Sequence, residues 1–314
     1  MGQVARMIDG AKIARLERRA RMVSAIRSFF DGFGFVEVET PVRIAAPAPE
    51  PHIDCPVVPS PDGRTSTFLR ASPELQMKKL LAAGMDRIYQ IGPCFREGER
   101  GSRHNPEFTM IEWYRRDADY IAILSDMERL FCNLSSQFSG DRPFSPTTNY
   151  QLPTAQLFGD RPFKRLLVRE AYRQWAGWDP WREWDQDRFD FDMATKIEPA
   201  LKNMGAVFLM DYPPQAASLA KLRGDVAERW EFYVDGMELA NCFTELCNPL
   251  EQRRRFADAR DERRKLGEPD YPIDEEFLGS LGNIGSAAGV ALGIDRLAMT
   301  LLGVPSIEDV RCTS

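Results

Sequence analysis

Two strand-like runs separated by a charged loop constrain this chain more than any other feature. Residues 88–95 read as a strand, residues 107–113 alternate apolar with polar side chains, and Glu97, Glu99, Arg100 and Arg103 lie between them. Such a pair around a polar loop forms an antiparallel hairpin. Arg96 stands at the end of the first strand and Phe108 on the returning one. Guanidinium groups grip phosphate oxygens in planar forks and an aromatic face stacks on a base, so this hairpin suits a nucleoside triphosphate. A solvated charged turn has the same composition, and the hairpin alone does not separate the two readings.

The rest of the chain narrows the class. Its 314 residues are 43% hydrophobic and 28% charged, enough for a substantial core. A formal charge of -6 excludes the global basic field on which nonspecific nucleic-acid binding relies. No apolar run approaches the roughly 20 residues of a membrane helix, so a soluble, cytoplasmic protein is expected. Six scattered cysteines read as reduced thiols, and with only His52 and His104 a zinc site or histidine-based triad finds little support. Neither a Walker loop nor a Gly-x-Gly-x-x-Gly fingerprint occurs.

Periodicity predicts a helix over 11–30 that buries Ile13, Leu16, Ala20, Val23 and Ile26, then a strand over 33–39 closed by Pro41. Residues 43–66 read as an irregular loop, 73–83 and 119–138 as helices, and 144–162 as turn-rich. Strands are expected over 207–210, 230–233 and 236–245, and a charged helix over 251–265. The fold class is α+β.

Two further patterns carry chemistry. Glu231, Glu238 and Glu245 recur seven residues apart on strand-like sequence among Leu239, Asn241 and Phe243. Carboxylates among apolar residues need a cation, and Mg²⁺ bridging phosphates is one such partner. Outward-facing glutamates on an ordinary strand would look the same. Residues 289–296 read as a strand entering a helix, with Arg296 in the first turn. Glycines there admit a close ligand, and Arg96 with Arg296 would hold one phosphate from two sides.

Taken together, these segments resemble a class II aminoacyl-tRNA synthetase of the lysyl branch. Residues 37–41 resemble its first, dimer-forming motif, 95–114 its second and 289–296 its third. The short lead before the first motif, and the segment Ala240-Asn241-Cys242-Phe243-Thr244-Glu245-Leu246, resemble a truncated group of lysyl-tRNA synthetase paralogues that charge a lysine of elongation factor P with (R)-β-lysine. The resemblance implies one catalytic domain over residues 1–314, an antiparallel β-sheet flanked by helices, with no anticodon-binding domain. It also implies a homodimer formed through the opening helix and the Pro41 strand, without stable tRNA or membrane binding.

The implied reaction uses ATP and Mg²⁺ to convert (R)-β-lysine or lysine to an acyl-adenylate, which a lysine of elongation factor P then attacks. Carried over by position, Arg96 and Arg296 are catalytic and meet the phosphates. Glu97, Gly98, His104, Asn105, Phe108, Glu238, Leu239 and Gly293 complete the ATP site, and Glu231 with Glu238 hold the metal. Ser72, Pro73 and Glu74 meet the substrate's backbone amine, while Glu112, Tyr114 and Glu245 take its terminal ammonium. Asn241, Phe243 and Ala291 line the same pocket. Ala291 replaces a usual glycine and favours the shifted amine of β-lysine. Glu97 or Glu99 is expected to stand in for an acid missing at Gly98, and Cys242 is expected to crowd the pocket floor. Arg253, Arg254, Arg255 and the loop at 100–103 are candidate basic patches for the protein substrate. A lysine ligase acting on tRNA or a small molecule, and an inactive synthetase-like regulator, remain as alternatives.

Overall fold

The computed structural model describes residues 9–63, 66–139, 163–202 and 204–312. The segment expected to be turn-rich, 144–162, lies outside them. Helix α1 (Gly10–Gly32) starts where the Asp9 side chain accepts from the Lys12 amide at 2.7 Å. It ends before Gly34, whose φ of 73° few other residues adopt. Its buried residues are Met22, Ile26 and Phe30, whereas Ile13 is 49% exposed. The expected apolar stripe therefore holds only in the second half. The first half docks through its arginines: Arg15 pairs with Asp309 at 3.4 Å, and Arg19 with Asp295 at 2.7 Å.

The expected strand over 33–39 contracts to β1 (Val36–Glu37), because the chain is still turning at Phe33 and Gly34. The region 43–66 also departs from expectation. Arg43–Ile44 and Val57–Pro59 flank Ser66–Leu69 in a separate three-stranded sheet, which alternation could not signal in strands this short.

Helix α2 (Glu74–Ala82) leads to the hairpin β2 (Arg87–Phe95) and β3 (Glu107–Arg116), then α3 (Tyr120–Phe138), capped by Asp119. Strands β4 (Lys164–Leu167), β5 (Ala206–Tyr212), β6 (Val226–Val234) and β7 (Met237–Thr244) follow. Helices α4 (Pro249–Leu266) and α5 (Glu275–Leu281), strand β8 (Ala287–Gly293) and helix α6 (Ile294–Leu302) complete the main elements. The sheet runs β1-β2-β3-β8-β7-β6-β5-β4, with Leu222–Arg223 paired outside this path to β6. The terminal pairs β1–β2 and β4–β5 are parallel, and the others are antiparallel. No helix among the described residues is long and apolar enough to cross a membrane.

The two faces of the sheet have separate duties. On one, Ile111, Trp113, Val290, Leu292, Ala240 and Cys242 pack with Met22, Ile26 and Phe30 of α1 and with residues of α3 and α6. Phe30 is fully buried, its ring 5.0 Å from Tyr89 and 5.1 Å from Trp113. The opposite face carries the site. Removing the Phe30 ring leaves a cavity that its close-packed neighbours cannot fill. Phe30→Ala is expected to lower unfolding free energy by about 3–5 kcal/mol, read as a lower denaturant midpoint at unchanged slope.

Candidate active site

Strand register builds the floor of the site. Glu112 of β3 lies between Gln90 of β2 and Ala291 of β8; Ala291 pairs with Asn241 of β7, which pairs with Glu231 of β6. Two residues along, Tyr114, Gly289, Phe243 and Arg229 form a second transverse row. Residues opposite one another share a face, so one sheet surface presents both rows. Gly289 is required by its neighbour: a Cβ there would lie 2.1 Å from the Tyr114 ring.

Glu238 reaches this face through a bulge. The β6–β7 register shifts between Phe232 and Tyr233, so the Leu239 side chain joins the helix-covered core, leaving its backbone beside Gly293, while Glu238 lines the cavity. The hairpin turn before it, Asp235 at φ 48° and Gly236 at φ 75°, has the left-handed pair that two-residue hairpins favour.

A cavity of about 370 Å³ opens above these rows. One end is acidic. Glu112 accepts hydrogen bonds from the Ser72 and Tyr114 hydroxyls, both at 2.7 Å. Burial, reinforced by Glu74, raises its carboxyl to about 7. Lys78 of α2, 1% exposed, bridges Glu74 and Glu245, each at 2.5 Å. Burial alone would depress the Lys78 ammonium, yet Glu245 and Glu74 outweigh it and hold the pKa above its ordinary value. Burial pushes Glu245 up to about 8 against the pull of Lys78. Two carboxyls thus titrate near neutrality beside a permanent cation.

The other end is basic and aromatic. Arg96 lies over the Phe108 ring at 5.2 Å and pairs with Glu99 at 3.5 Å, while its buried Nε has no hydrogen-bond partner among the described residues. Arg296 donates to the Glu238 carbonyl at 3.0 Å, and His104 Nε2 stands 2.5 Å from its Nη2. Burial and then Arg296 lower the His104 pKa, so a neutral ring accepts from the guanidinium. Asp295 fixes the start of α6 by accepting from Arg19, Arg311 and the Thr109 amide. An orphaned guanidine nitrogen in a cavity with a second arginine fits a phosphate-bearing ligand.

Most of the sequence-derived residues converge here: Ser72, Glu74, Arg96, His104, Asn105, Phe108, Glu112, Tyr114, Glu238, Leu239, Asn241, Phe243, Glu245, Ala291, Gly293 and Arg296 all line the cavity. Four assigned residues do not. Pro73 precedes Glu74 as the cap of α2, the Glu97 amide donates to the Asp54 carbonyl, and Gly98 turns the loop at φ 75°. Glu231 is engaged by Arg229 and by the hydroxyls of Tyr212 and Tyr233 at 2.5 and 2.6 Å. Its oxygens are taken, whereas Glu238 lines the cavity with a single, longer ion pair, to Arg296 at 3.4 Å. Glu99, rather than Glu97, reaches the cavity beside Gly98.

Cys242 corrects an expectation: its thiol lies in the helix-covered core, because even-numbered positions beyond the bulge face away from the cavity. The basic character expected at Arg253, Arg254 and Arg255 is largely neutralised by Glu275, Glu251 and Asp258. Glu50 and Lys78 were not singled out from the sequence. The i,i+4 spacing of Glu74 and Lys78 was the signal the sequence held for Lys78, and Glu50 sits in a proline-rich loop that gave none.

Comparison with known proteins agrees with this arrangement. Residues 5–312 match the model for tRNA synthetases class II (D, K and N). The chain is 37% identical to the elongation factor P--(R)-beta-lysine ligase of Proteus mirabilis, over 99% of this chain and 98% of that protein. Identity is 35% to the ligase of that name from Pasteurella multocida and 36% to that from Haemophilus influenzae, each over 96% of this chain and 94% of the relative. Matched by the family pattern along nearly its whole length, and carrying a cavity over its central strands with two arginines at one end and carboxylates at the other, the chain belongs to the class II (D, K and N) tRNA synthetase family.

Proposed function

We propose that this protein is a ligase that activates (R)-β-lysine, or lysine, with ATP and transfers the acyl group to a lysine side chain of elongation factor P. The observation that carries this reading is one cavity with an acidic end, at Glu112, Tyr114 and Glu245, and an arginine end, at Arg96 and Arg296. Its relatives bear the name of that activity. Class II synthetase-like enzymes use ATP and Mg²⁺, and the metal supplies charge neutralisation at the phosphates. Glu238 is the residue that would hold it, with phosphate oxygens completing the shell.

The reaction asks positioning of the protein more than covalent chemistry. A carboxylate oxygen of the amino acid attacks the α-phosphorus, the bond to the bridging oxygen breaks, and pyrophosphate departs. Arg96 and Arg296 face the charge that spreads over the phosphoryl oxygens. The resulting mixed anhydride needs no enzyme nucleophile. The amine of the acceptor lysine attacks its carbonyl, AMP leaves with the electron pair, and the new amide nitrogen releases a proton to water. At the acidic end, an ammonium receives charge-assisted bonds from carboxylates that an uncharged isostere would leave unpaired. We also propose a homodimer through α1 and the β1 edge, where Phe33 and Val36 are 42% and 52% exposed.

Intact mass of elongation factor P after incubation with the protein, ATP, Mg²⁺ and each lysine isomer tests the reading. A gain of one lysyl unit is expected; unmodified factor alongside charged tRNA overturns it. Arg296→Ala is expected to lower substrate-dependent pyrophosphate exchange by about 10²–10³-fold, the usual cost of losing one donor to a charged transition state. Glu112 and Glu245 titrate near about 7 and about 8, and an ammonium binds their ionised forms. The KM for the amino acid should therefore fall as pH rises from about 6 to about 9, with ATP at saturation. A flat profile would remove both acids from that role.

A further inference from the structure

The loop at 45–56 brings one more carboxylate to the cavity. Its backbone is pinned from below by Arg263 of α4, a fully buried arginine. Arg263 donates to the Glu50 carbonyl at 2.8 Å, to the Ile53 carbonyl at 3.1 Å and to the Asp54 carboxylate at 2.6 Å. Its guanidinium lies 4.2 Å from the Tyr271 ring centre, and the Tyr271 hydroxyl accepts from the Cys55 amide at 2.9 Å. The Asp54 carbonyl in turn accepts from the Glu97 amide at 2.8 Å, tying the loop to the β2–β3 hairpin. A segment held at four successive points does not place a side chain by chance.

The Glu50 carboxylate lines the cavity with Ser72 and Glu74 and has no hydrogen bond or ion pair among the described residues. The charged groups that face it are Glu74, Arg96, Arg229 and Lys78. None of these cations pairs with it. Lys78 is shared by Glu74 and Glu245, Arg96 pairs with Glu99, and Arg229 pairs with Glu231. Burial and the neighbouring Glu74 both raise the pKa of Glu50. An unpaired carboxylate beside a second one is costly unless a cation from outside joins them.

We propose that Glu50 is a further specificity-determining residue: it joins Glu74, which the resemblance places at the substrate's amine nearer the reacting carboxyl, in holding that second ammonium group of a diamino acid. Glu112, Tyr114 and Glu245 then hold the terminal ammonium. The three N–H donors of an ammonium satisfy both carboxylates at once. This assignment rests on the ligase reading above and adds a role for Glu50 that selects the substrate by its number of amines.

Pyrophosphate exchange with (R)-β-lysine, lysine and 6-aminohexanoate separates the two. 6-Aminohexanoate keeps the terminal amine and lacks the second. The unaltered protein is expected to favour the diamino acids. Glu50→Gln should lower kcat/KM for the preferred diamino acid by about tenfold to hundredfold, through KM, the effect of one bond to a charged group. The same variant should leave exchange with 6-aminohexanoate and the KM for ATP unchanged, which also reports a folded site. Glu50→Asp, which keeps the charge, should recover part of the loss. Equal loss on mono- and diamino substrates, or loss on neither, overturns the role of Glu50 alone. Exchange with none of the three acids, by the unaltered protein, overturns the ligase reading and this assignment with it.

Discussion

The site depends on a lysine that never meets water. Lys78 is 1% exposed, and its ammonium joins Glu74 on its own helix to Glu245 at the end of β7. Coulomb attraction in a poorly screened interior is strong, but so is the cost of stripping water from three charges. Such a group persists where it fixes something, and here it fixes the distance between two elements that approach from different parts of the chain. Losing one member would leave its partners charged and buried, at a cost of about 3–5 kcal/mol. The cluster also sets the charge of the acidic end: Glu74, Glu112 and Glu245 face the cavity with one internal cation among them.

Around that cluster the sheet acts as a coordinate grid. Odd-numbered positions of β7 beyond its bulge, Asn241 and Phe243, point to the cavity, and even-numbered ones, Ala240 and Cys242, to the helices. The strands β3 and β8 follow the same rule, with Glu112 and Tyr114 opposite Ala291 and Gly289. Small residues on β8 leave the volume into which the larger groups of β3 project. The arginine end is organised differently, by Asp295 gathering Arg19, Arg311 and the Thr109 amide at the root of α6. Helix α1 thereby supports the arginine end through polar ties and the sheet through its apolar second half.

Much of this was legible in the sequence, for identifiable reasons. The hairpin around residues 95–109 has long strands with a polar loop, and long elements carry enough period to be read. The cavity residues of β3 and β8 followed from the resemblance their motifs carry. What escaped was set by tertiary structure. The short strands near 43–69 hold too few residues to show alternation. The first half of α1 looked apolar at Ile13 but is held by arginines whose acids lie nearly 300 positions away. Glu231 and Glu238 looked equivalent at seven-residue spacing, yet one is locked by Arg229 and two tyrosines while the other opens to the cavity. Glu50 gave no signal because its loop is ordered by Arg263, more than 200 residues downstream.

The bulge at Leu239 has one more consequence. A strand with a strict two-residue rhythm could not show the cavity Glu238 and Asn241 together, since their separation is odd. The extra residue is a phase change, and everything downstream on β7 is read in the new frame. At the same length and without the bulge, a strand that kept Asn241 on the cavity face would turn Glu238 inward among Ala240, Trp230 and Phe232. The bulge in this hairpin is therefore as much a part of the chemistry as the acid it delivers.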